Sequence, residues 1–305
     1  MSDTSLEDFL AQGKTRRVVP VVRRVFADSE TPMGLYRKLA SGPGSFLLES
    51  ADQAGKWSRY SFLGVSVHGV LTVDNGRARW INRGMSEEVA FGEKVPRKPL
   101  AALHMLNDRW LSDPVEGLPP FGGGLVGHLG WEMVRELETL PNQPPSSHEV
   151  PAIYMSLVQD FVAFDHHTSE VVMVAQVHAY DGVSAEDYAL AVKRLDLLHA
   201  DVSKPSASTL HQRHEPAEDV LTPSHDQAVF LEMVAKAKKH IIDGDVFQVV
   251  LSQQFELPVT ASALEVYRVL RSVNPSPYMY LIECDDASGA PYQVVGSSPE
   301  ALVTV

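Results

Sequence analysis

The sequence predicts an α+β fold in which mostly antiparallel β-sheets are packed with helices. In the first half, short runs rich in aliphatic, aromatic and hydroxyl residues follow one another, with turn residues such as "DNG" (74–76) between them. In the second half, runs with helical spacing alternate with strand-like runs. The chain has 305 residues and 44% hydrophobic content, which is enough for two structural units.

In the first half, each predicted element has a local physical reason. "VVPVV" (18–22) predicts an edge strand, because Pro20 cannot donate a hydrogen bond to a ladder. "TPMGLYRKLA" predicts a helix with Thr31 as N-cap and Pro32 at its first position. "GSFLLES", "RYSFLGVSVHGVLTV" and "RARWI" predict successive antiparallel strands. In "AEDYALAVKRLDLLHA", apolar residues at helical spacing predict an amphipathic helix: Tyr188, Ala191, Leu195 and Leu198.

In the second half, the chain alternates between helix and strand signals. Ser224 and Gln227 form a capping-box pattern before a helix that ends at Gly244. "DVFQVVLSQQFE" (245–256) alternates as a half-buried strand should, and "ALEVYRVLRSV" predicts a helix. "YMYLIEC" and "YQVVGSS" predict a hairpin around the turn "DDASGAP".

Composition along the chain predicts three segments. Residues 1–200 form a sheet-rich amino-terminal domain, and residues 201–223 form a polar linker or loop that mixes Pro, Ser, His and charges without periodicity. Residues 224–305 begin a second domain. Because the last residues, "SSPEALVTV", carry no polar tail, we expect the sequence to be the amino-terminal portion of a longer protein.

Charge and cysteine usage narrow the class of partner. The net charge of −13 argues against nucleic-acid and anionic-membrane partners. The basic run at 14–24 ("KTRRVVPVVRR") is the local exception, interpreted as solvated charges that flank a strand. The single Cys284 lies in an apolar run and suits a reducing compartment, and no segment has the pattern of a signal peptide or membrane span. We therefore expect a cytoplasmic protein.

The glycine-rich run and the histidines do not have the patterns of a dinucleotide site or a metal site. "GGGLVG" (122–127) has the glycine spacing of a dinucleotide site, with Glu149 beyond it, but a proline-rich run follows where a second strand is required. This motif therefore predicts tight backbone packing. The histidines show no metal-ligand pattern: His166 and His167 lie in a predicted turn, and His211 and His214 lie in the polar segment.

"LLES" (47–50) and "NPSPYM" (274–279) are the remaining candidates for a binding site. Two prolines make the second segment rigid. Tyr278 and Met279 favour contact with a flat aromatic ligand, and Ser50 and Asn274 can hold a polar head group. The residues alone leave open a second interpretation, a stiff turn over a core.

Five ordered blocks resemble a known family: "FLLESA", "WSRYSFLG", "FGGGLVGHLGW", "DGDVFQVVLSQQF", and "NPSPYMY" followed by "GSSPE". Together they resemble the amino-terminal part of anthranilate synthase component I, over nearly the whole chain from about Val18. The resemblance implies the conversion of chorismate and ammonia to anthranilate and pyruvate in tryptophan biosynthesis. It also implies Mg²⁺ as cofactor, a glutamine amidotransferase subunit as partner in a heterotetramer, and feedback inhibition by L-tryptophan.

The resemblance assigns the inhibitor site to Ser50, Pro277, Tyr278 and Met279, so Ser50 and Met279 are expected to meet in the fold. The family's magnesium-binding glutamates, catalytic histidine and chorismate-contacting residues belong to motifs downstream of residue 305. No catalytic or metal-binding residue is therefore assigned in this chain, and we expect the chain alone to lack activity.

Departures from the family pattern keep alternatives open. Gln254 stands where the family commonly has arginine, and His128 replaces a frequent tyrosine. Aminodeoxychorismate synthase component I is the nearest alternative, disfavoured by Met279 and by "GSSPEAL". Isochorismate and salicylate synthases generally lack the "LLES" block. An inactive tryptophan-binding fragment is the alternative from a different functional class.

Overall fold

The computed structural model describes residues 2–51, 58–144, 150–206 and 221–303. The chain divides into two compact units: Met1–Ser206 together with Ala263–Val305, and Ala207–Ser262. The α-helices of the described residues are α1 (Leu6–Gln12), α2 (Pro32–Leu39), α3 (Glu87–Phe91), α4 (Pro99–Trp110), α5 (Ala185–Val202), α6 (Gln227–Asp243) and α7 (Ala263–Val273), and a 3₁₀ helix spans Trp131–Glu136. The strands are β1 (Val18–Phe26), β2 (Phe46–Glu49), β3 (Tyr60–Asp74), β4 (Arg77–Asn82), β5 (Leu125–Leu129), β6 (Ile153–Asp165), β7 (Glu170–His178), β8 (Thr222–Pro223), β9 (Phe255–Glu256), β10 (Tyr278–Asp285) and β11 (Pro291–Ser298).

The first unit is built on a nine-stranded sheet with the order β1-β7-β6-β3-β2-β10-β11. Strand β4 pairs with β3 and strand β5 pairs with β6, and every pairing is antiparallel. The sheet brings β2, from early in the chain, next to β10, from near its end. This architecture confirms the predicted α+β class with antiparallel sheets and packed helices.

Local sequence chemistry explains several of these elements. β1 is an edge strand, as Pro20 predicts. The Thr31 hydroxyl accepts a hydrogen bond from the Gly34 amide at 3.1 Å and begins α2. The β3–β4 turn places Asn75 at φ 50° and Gly76 at φ 71°, the left-handed conformation that these two residue types favour in tight hairpins. These predictions are confirmed.

Alternation along the strands divides the core between the two faces of the sheet. On one face, Leu47, Leu63 and Leu281 belong to a core cluster that also contains residues of α2, α5 and α7. On the other face, the neighbouring residues Phe46 and Ile282 belong to a second cluster. A third cluster packs residues of α3 and α4, Trp110 among them, against Leu71 of β3 and Trp80 of β4. The period of two residues therefore gives β2 and β10 two buried faces with different neighbours.

The basic run at 14–24 has a structural role that composition did not predict. Arg17 donates through Nη1 to the carbonyl oxygen of Arg109 at 3.2 Å, at the carboxyl end of α4. Arg16 donates through Nη2 to the carbonyl oxygen of Pro114 at 2.9 Å. These cations satisfy carbonyl groups at and beyond a helix terminus, where positive charge is favourable. The interpretation of solvated charges holds for Arg17, which is exposed, but it is wrong for Arg23, which is 6% exposed and donates to Asp196 Oδ1 at 2.7 Å.

The second unit corrects two predictions. The N-cap of α6 is Asp226, whose side chain accepts from the Val229 amide at 2.9 Å, so Ser224 is not the capping residue. Instead, the Ser224 hydroxyl accepts from the Gln254 amide at 3.3 Å, next to the β8–β9 pair. The predicted strand over 245–256 is reduced to Phe255–Glu256. Within the described part of this unit, residues 245–254 pair with no strand, and Phe247 is fully exposed.

The predicted segments 1–200, 201–223 and 224–305 stay a prediction about domains. In the structure, β10 and β11 extend the sheet that the earlier strands of the first unit form. Across the described ranges, none of the helices combines the length and apolar character that a membrane crossing requires.

Candidate functional site

The segments "LLES" and "NPSPYM" meet in the β2–β10 pair. Met279 lies directly opposite Glu49, and the Ala51 amide donates to the Ser276 carbonyl oxygen at 3.0 Å. Ser50, Pro277, Tyr278 and Met279 line one cavity of about 500 Å³. The expectation that Ser50 and Met279 meet is therefore confirmed, and their role in binding tryptophan stays a prediction.

The rest of the cavity lining is mainly apolar and aromatic. It consists of Leu48, Glu49, Ser58, Arg59, Tyr60, Phe62, Pro120 and Tyr280. Tyr60 and Phe62 are two residues apart on β3, so their rings project from the same face of the sheet, with centroids 6.0 Å apart. The volume lies within the roughly 300–1,000 Å³ typical of small-molecule sites. Aromatic walls with a few polar groups suit a flat ligand with a polar head group.

Arg59 is the cation of this lining. Its Nε and Nη2 atoms lie 3.0 and 2.9 Å from Asp165 Oδ2, and its side chain is 58% exposed. The guanidinium also lies over the Tyr60 ring, 4.9 Å from the centroid. Because a guanidinium has five donors in a planar fork, the bond to Asp165 leaves donors for a ligand carboxylate.

Met279 supports the cavity from the core side of the sheet. Its side chain is only 1% exposed and belongs to the core cluster that contains Tyr267 and Leu281. Strand alternation places Met279 on the opposite face from Tyr278, which is 46% exposed. Asn274, considered for a polar head group, is exposed and is not among the described lining residues.

A buried charged network lies beneath the cavity, centred on Glu49. The Glu49 carboxylate accepts from Tyr267 Oη at 2.8 Å, from Ser61 Oγ at 3.2 Å, and from Arg271 Nε and Nη2 at 2.8 and 3.2 Å. The Glu49 side chain is fully buried. His166 Nε2 lies 2.8 Å from Ser61 Oγ, and burial lowers the pKa of His166. We refer to Glu49, Ser61, Tyr267 and Arg271 as the Glu49 network.

Sequence reasoning missed several residues of this site: Glu49, Arg59, Tyr60, Phe62 and Tyr280. Two signals were available. Aromatic residues two positions apart in "RYSF" mark one face of a strand, and the glutamate of "LLES" is a charge inside an apolar run.

The glycine-rich motif packs backbone against backbone, as predicted. A Cβ at Gly127 would lie 1.8 Å from the Tyr154 carbonyl oxygen, and Gly123 has φ +94°. The close approach requires glycine at position 127, where β5 pairs with β6, and the positive φ favours glycine at position 123, just before β5. Glu149, His211 and His214 lie outside the described residues.

The two departures from the family pattern have distinct surroundings. His128 Nε2 lies 2.9 Å from Tyr292 Oη, and the His128 ring stacks on Tyr154. Burial lowers the pKa of His128. Gln254 lies in the second unit, where its backbone amide donates to the Ser224 hydroxyl.

The positions of His166, His167 and Cys284 agree with the sequence predictions for these residues. His166 and His167 lie in the turn between β6 and β7, as predicted. Cys284 is fully buried, and burial raises the pKa of its thiol to about 12. A thiol that is fully buried in this way packs as a core residue.

Metal ligands do not cluster in the part of the chain that the structure describes. No group of three or more His, Cys, Asp or Glu side chains there could hold a metal ion. The resemblance implies that the magnesium-binding glutamates lie beyond residue 305, so magnesium as cofactor stays a prediction.

Comparison with known proteins identifies the family. Residues 89–305 match the family described as chorismate binding enzyme. The chain belongs to this family. It is 42% identical over 307 aligned residues to anthranilate synthase component 1 of Arthrobacter globiformis, and 41% identical to that of Mycolicibacterium smegmatis. These alignments cover 98% and 99% of the chain, respectively, and 57% of each relative.

A solved structure of the same family type agrees with the fold. The crystal structure of anthranilate synthase component I from Streptococcus pneumoniae superposes with a TM-score of 0.62 and 27% identity, over 81% of this chain and 52% of that one. The resemblance to anthranilate synthase component I is thus confirmed. The chain spans somewhat more than half the length of the curated relatives that it matches.

Proposed function

We propose that this chain is part of an anthranilate synthase component I. This enzyme converts chorismate and ammonia to anthranilate and pyruvate. The observation that carries the proposal is 42% identity to a protein of that name along 98% of the chain. A glutamine amidotransferase subunit supplies the ammonia, in a heterotetramer. The protein acts in the cytoplasm as an early enzyme of tryptophan biosynthesis.

The regulatory part of the proposal concerns the cavity at Ser50, Pro277, Tyr278 and Met279, which binds L-tryptophan as feedback inhibitor. The indole packs between the aromatic side chains, and the Ser50 hydroxyl bonds the polar head group. The Arg59 guanidinium attracts the carboxylate. Three features of the cavity support this ligand class: its volume, its aromatic side chains, and Arg59 as the single cation among the described lining residues.

The chemistry itself is assigned to no residue of this chain. The groups that would hold magnesium, which would polarise the substrate when bound, are expected outside these 305 residues. We therefore expect a protein that ends at Val305 to form no anthranilate from chorismate, with ammonia or with glutamine and its partner subunit.

The test is an assay of a full-length protein that contains this chain, with chorismate, ammonium and Mg²⁺, followed by anthranilate fluorescence. We expect anthranilate formation that falls as L-tryptophan is added. Formation of aminodeoxychorismate instead would assign the protein to the sister activity. Magnesium-dependent anthranilate formation by the chain that ends at Val305 would show that the catalytic groups lie inside it.

A further inference from the structure

Two helices donate tyrosine hydroxyls to glutamates on the same side of the sheet. Tyr267 of α7 bonds Glu49 at 2.8 Å, and Tyr36 of α2 bonds Glu283 at 3.3 Å. Both tyrosines belong to the same buried core cluster. Only Glu49 is also held by a guanidinium, through two bonds from Arg271. The two contacts are chemically similar, but Glu49 lies on β2 and Glu283 lies on β10.

Burial makes the Glu49 contact a rigid one. The Glu49 side chain and Tyr267 are both fully buried, so water cannot replace a lost bond to this carboxylate. Charge-assisted hydrogen bonds are shorter and stronger than neutral ones. The position of the Glu49 carboxylate is therefore set by α7 and not by solvent.

Glu49 is also part of the cavity floor. It precedes Ser50, faces Met279 across the β2–β10 pair, and lines the cavity itself. Glu283 pairs with Gln293 and is not among the lining residues of this cavity. Because Glu49 precedes Ser50 directly, a shift of Glu49 reaches Ser50 through one peptide bond, whereas the Glu283 backbone bonds Gly44 and Ser45, just before β2.

We propose that Tyr267 and Arg271 are positioning residues for the cavity, and that they act through Glu49. They fix the 48–51 segment in the arrangement that a ligand meets. By reciprocity, a ligand that prefers this arrangement also stabilises the docked position of α7. The inference rests on the proposed function only for the choice of L-tryptophan as probe.

The experiment compares Tyr267→Phe with Tyr36→Phe, a matched control that removes one helix-to-strand tyrosine hydroxyl elsewhere. L-Tryptophan is titrated calorimetrically into each protein, and thermal stability is measured in parallel. We expect Tyr267→Phe to weaken binding about 5- to 20-fold and Tyr36→Phe to change it less than about twofold. Arg271→Lys, which keeps the charge but loses the planar fork, should fall between them.

A second readout needs no ligand. Amide hydrogen exchange of residues 48–51 should accelerate in Tyr267→Phe but not in Tyr36→Phe. If wild-type protein binds no tryptophan, the proposed regulation fails, and the exchange data still decide the positioning role. Wild-type affinity in Tyr267→Phe, or equal exchange at 48–51 in both variants, would overturn the inference.

Discussion

The two faces of the β2–β10 pair differ in what covers them. On one face, α7 closes over a fully buried carboxylate that receives hydrogen bonds from three side chains. On the other face, Tyr278, Tyr280 and Phe62 border a cavity of about 500 Å³. Strand alternation assigns neighbouring residues to these opposite environments. One face therefore fixes the strands, and the other borders the cavity.

The largest effect is expected from Glu49→Ala. The substitution leaves Arg271 and the Tyr267 hydroxyl without their carboxylate in a buried site, which typically costs about 3–5 kcal/mol. Because the Arg271 side chain is 26% exposed, we expect the lower end of this range. Urea unfolding of the purified protein measures the loss of stability.

The matched control is Glu138→Ala, at an exposed glutamate. Its free energy of unfolding should change by less than about 0.5 kcal/mol. Equal stability of the Glu49 and Glu138 variants would show that the closed face does not depend on the carboxylate.

The half-buried histidines His68 and His178 form a third environment, in which the charged form of a side chain is disfavoured. His68 Nε2 lies 2.9 Å from His178 Nδ1, and burial, aided by the Arg194 charge, lowers the pKa of His68 to about 4. In an unfolded chain this pKa is about 6.5, so between these values the unfolded state binds the proton first. Stability should therefore fall as pH drops from about 6.5 to 4, by up to about 3 kcal/mol from His68.

Urea unfolding across this pH range measures the effect, with His68→Gln as the comparison. Glutamine does not titrate, so the variant should show a shallower loss of stability on acidification. Parallel curves for the two proteins would mean that other groups produce the acid sensitivity.

The smallest of the three stability effects is expected from Met279→Thr. Met279 is 1% exposed in the core cluster on the α7 side, so a smaller, polar side chain should cost about 2 kcal/mol. Tryptophan affinity should fall less than it does in Ser50→Phe, because the thioether supports the cavity floor from below. Thermal unfolding combined with a tryptophan titration separates the two effects. A larger loss of affinity in Met279→Thr than in Ser50→Phe would place the thioether in the cavity.

Much of the first unit follows from local sequence patterns. The Thr31 cap, the "DNG" turn and the 278–298 hairpin depend on neighbours in sequence, so their physics is visible there. The Glu49 network is not visible, because Tyr267 and Arg271 lie more than two hundred positions from Glu49. The resemblance to a family brought Ser50 and Met279 together, whereas residue chemistry alone left a stiff turn as the alternative.

The failed strand at 245–254 shows the limit of periodicity. Alternation describes which side chains would share a face, but a strand also requires a partner for its backbone groups. Within the described part of the second unit, a paired strand is present only for Phe255 and Glu256, which lie opposite Pro223 and Thr222. Ser224 was misassigned for a related reason, since its hydroxyl bonds a distant amide instead of its own helix.

The most direct test of the proposed tryptophan site is a calorimetric titration of L-tryptophan into the wild-type protein and into the Ser50→Phe variant. The control is Ser206→Phe, which changes an exposed serine. Phenylalanine at position 50 fills the cavity and removes a hydroxyl, so we expect at least about a tenfold loss of affinity, or about 1.4 kcal/mol. The control should match wild type. Equal tryptophan affinity in all three proteins would contradict the assignment of this cavity as the ligand site.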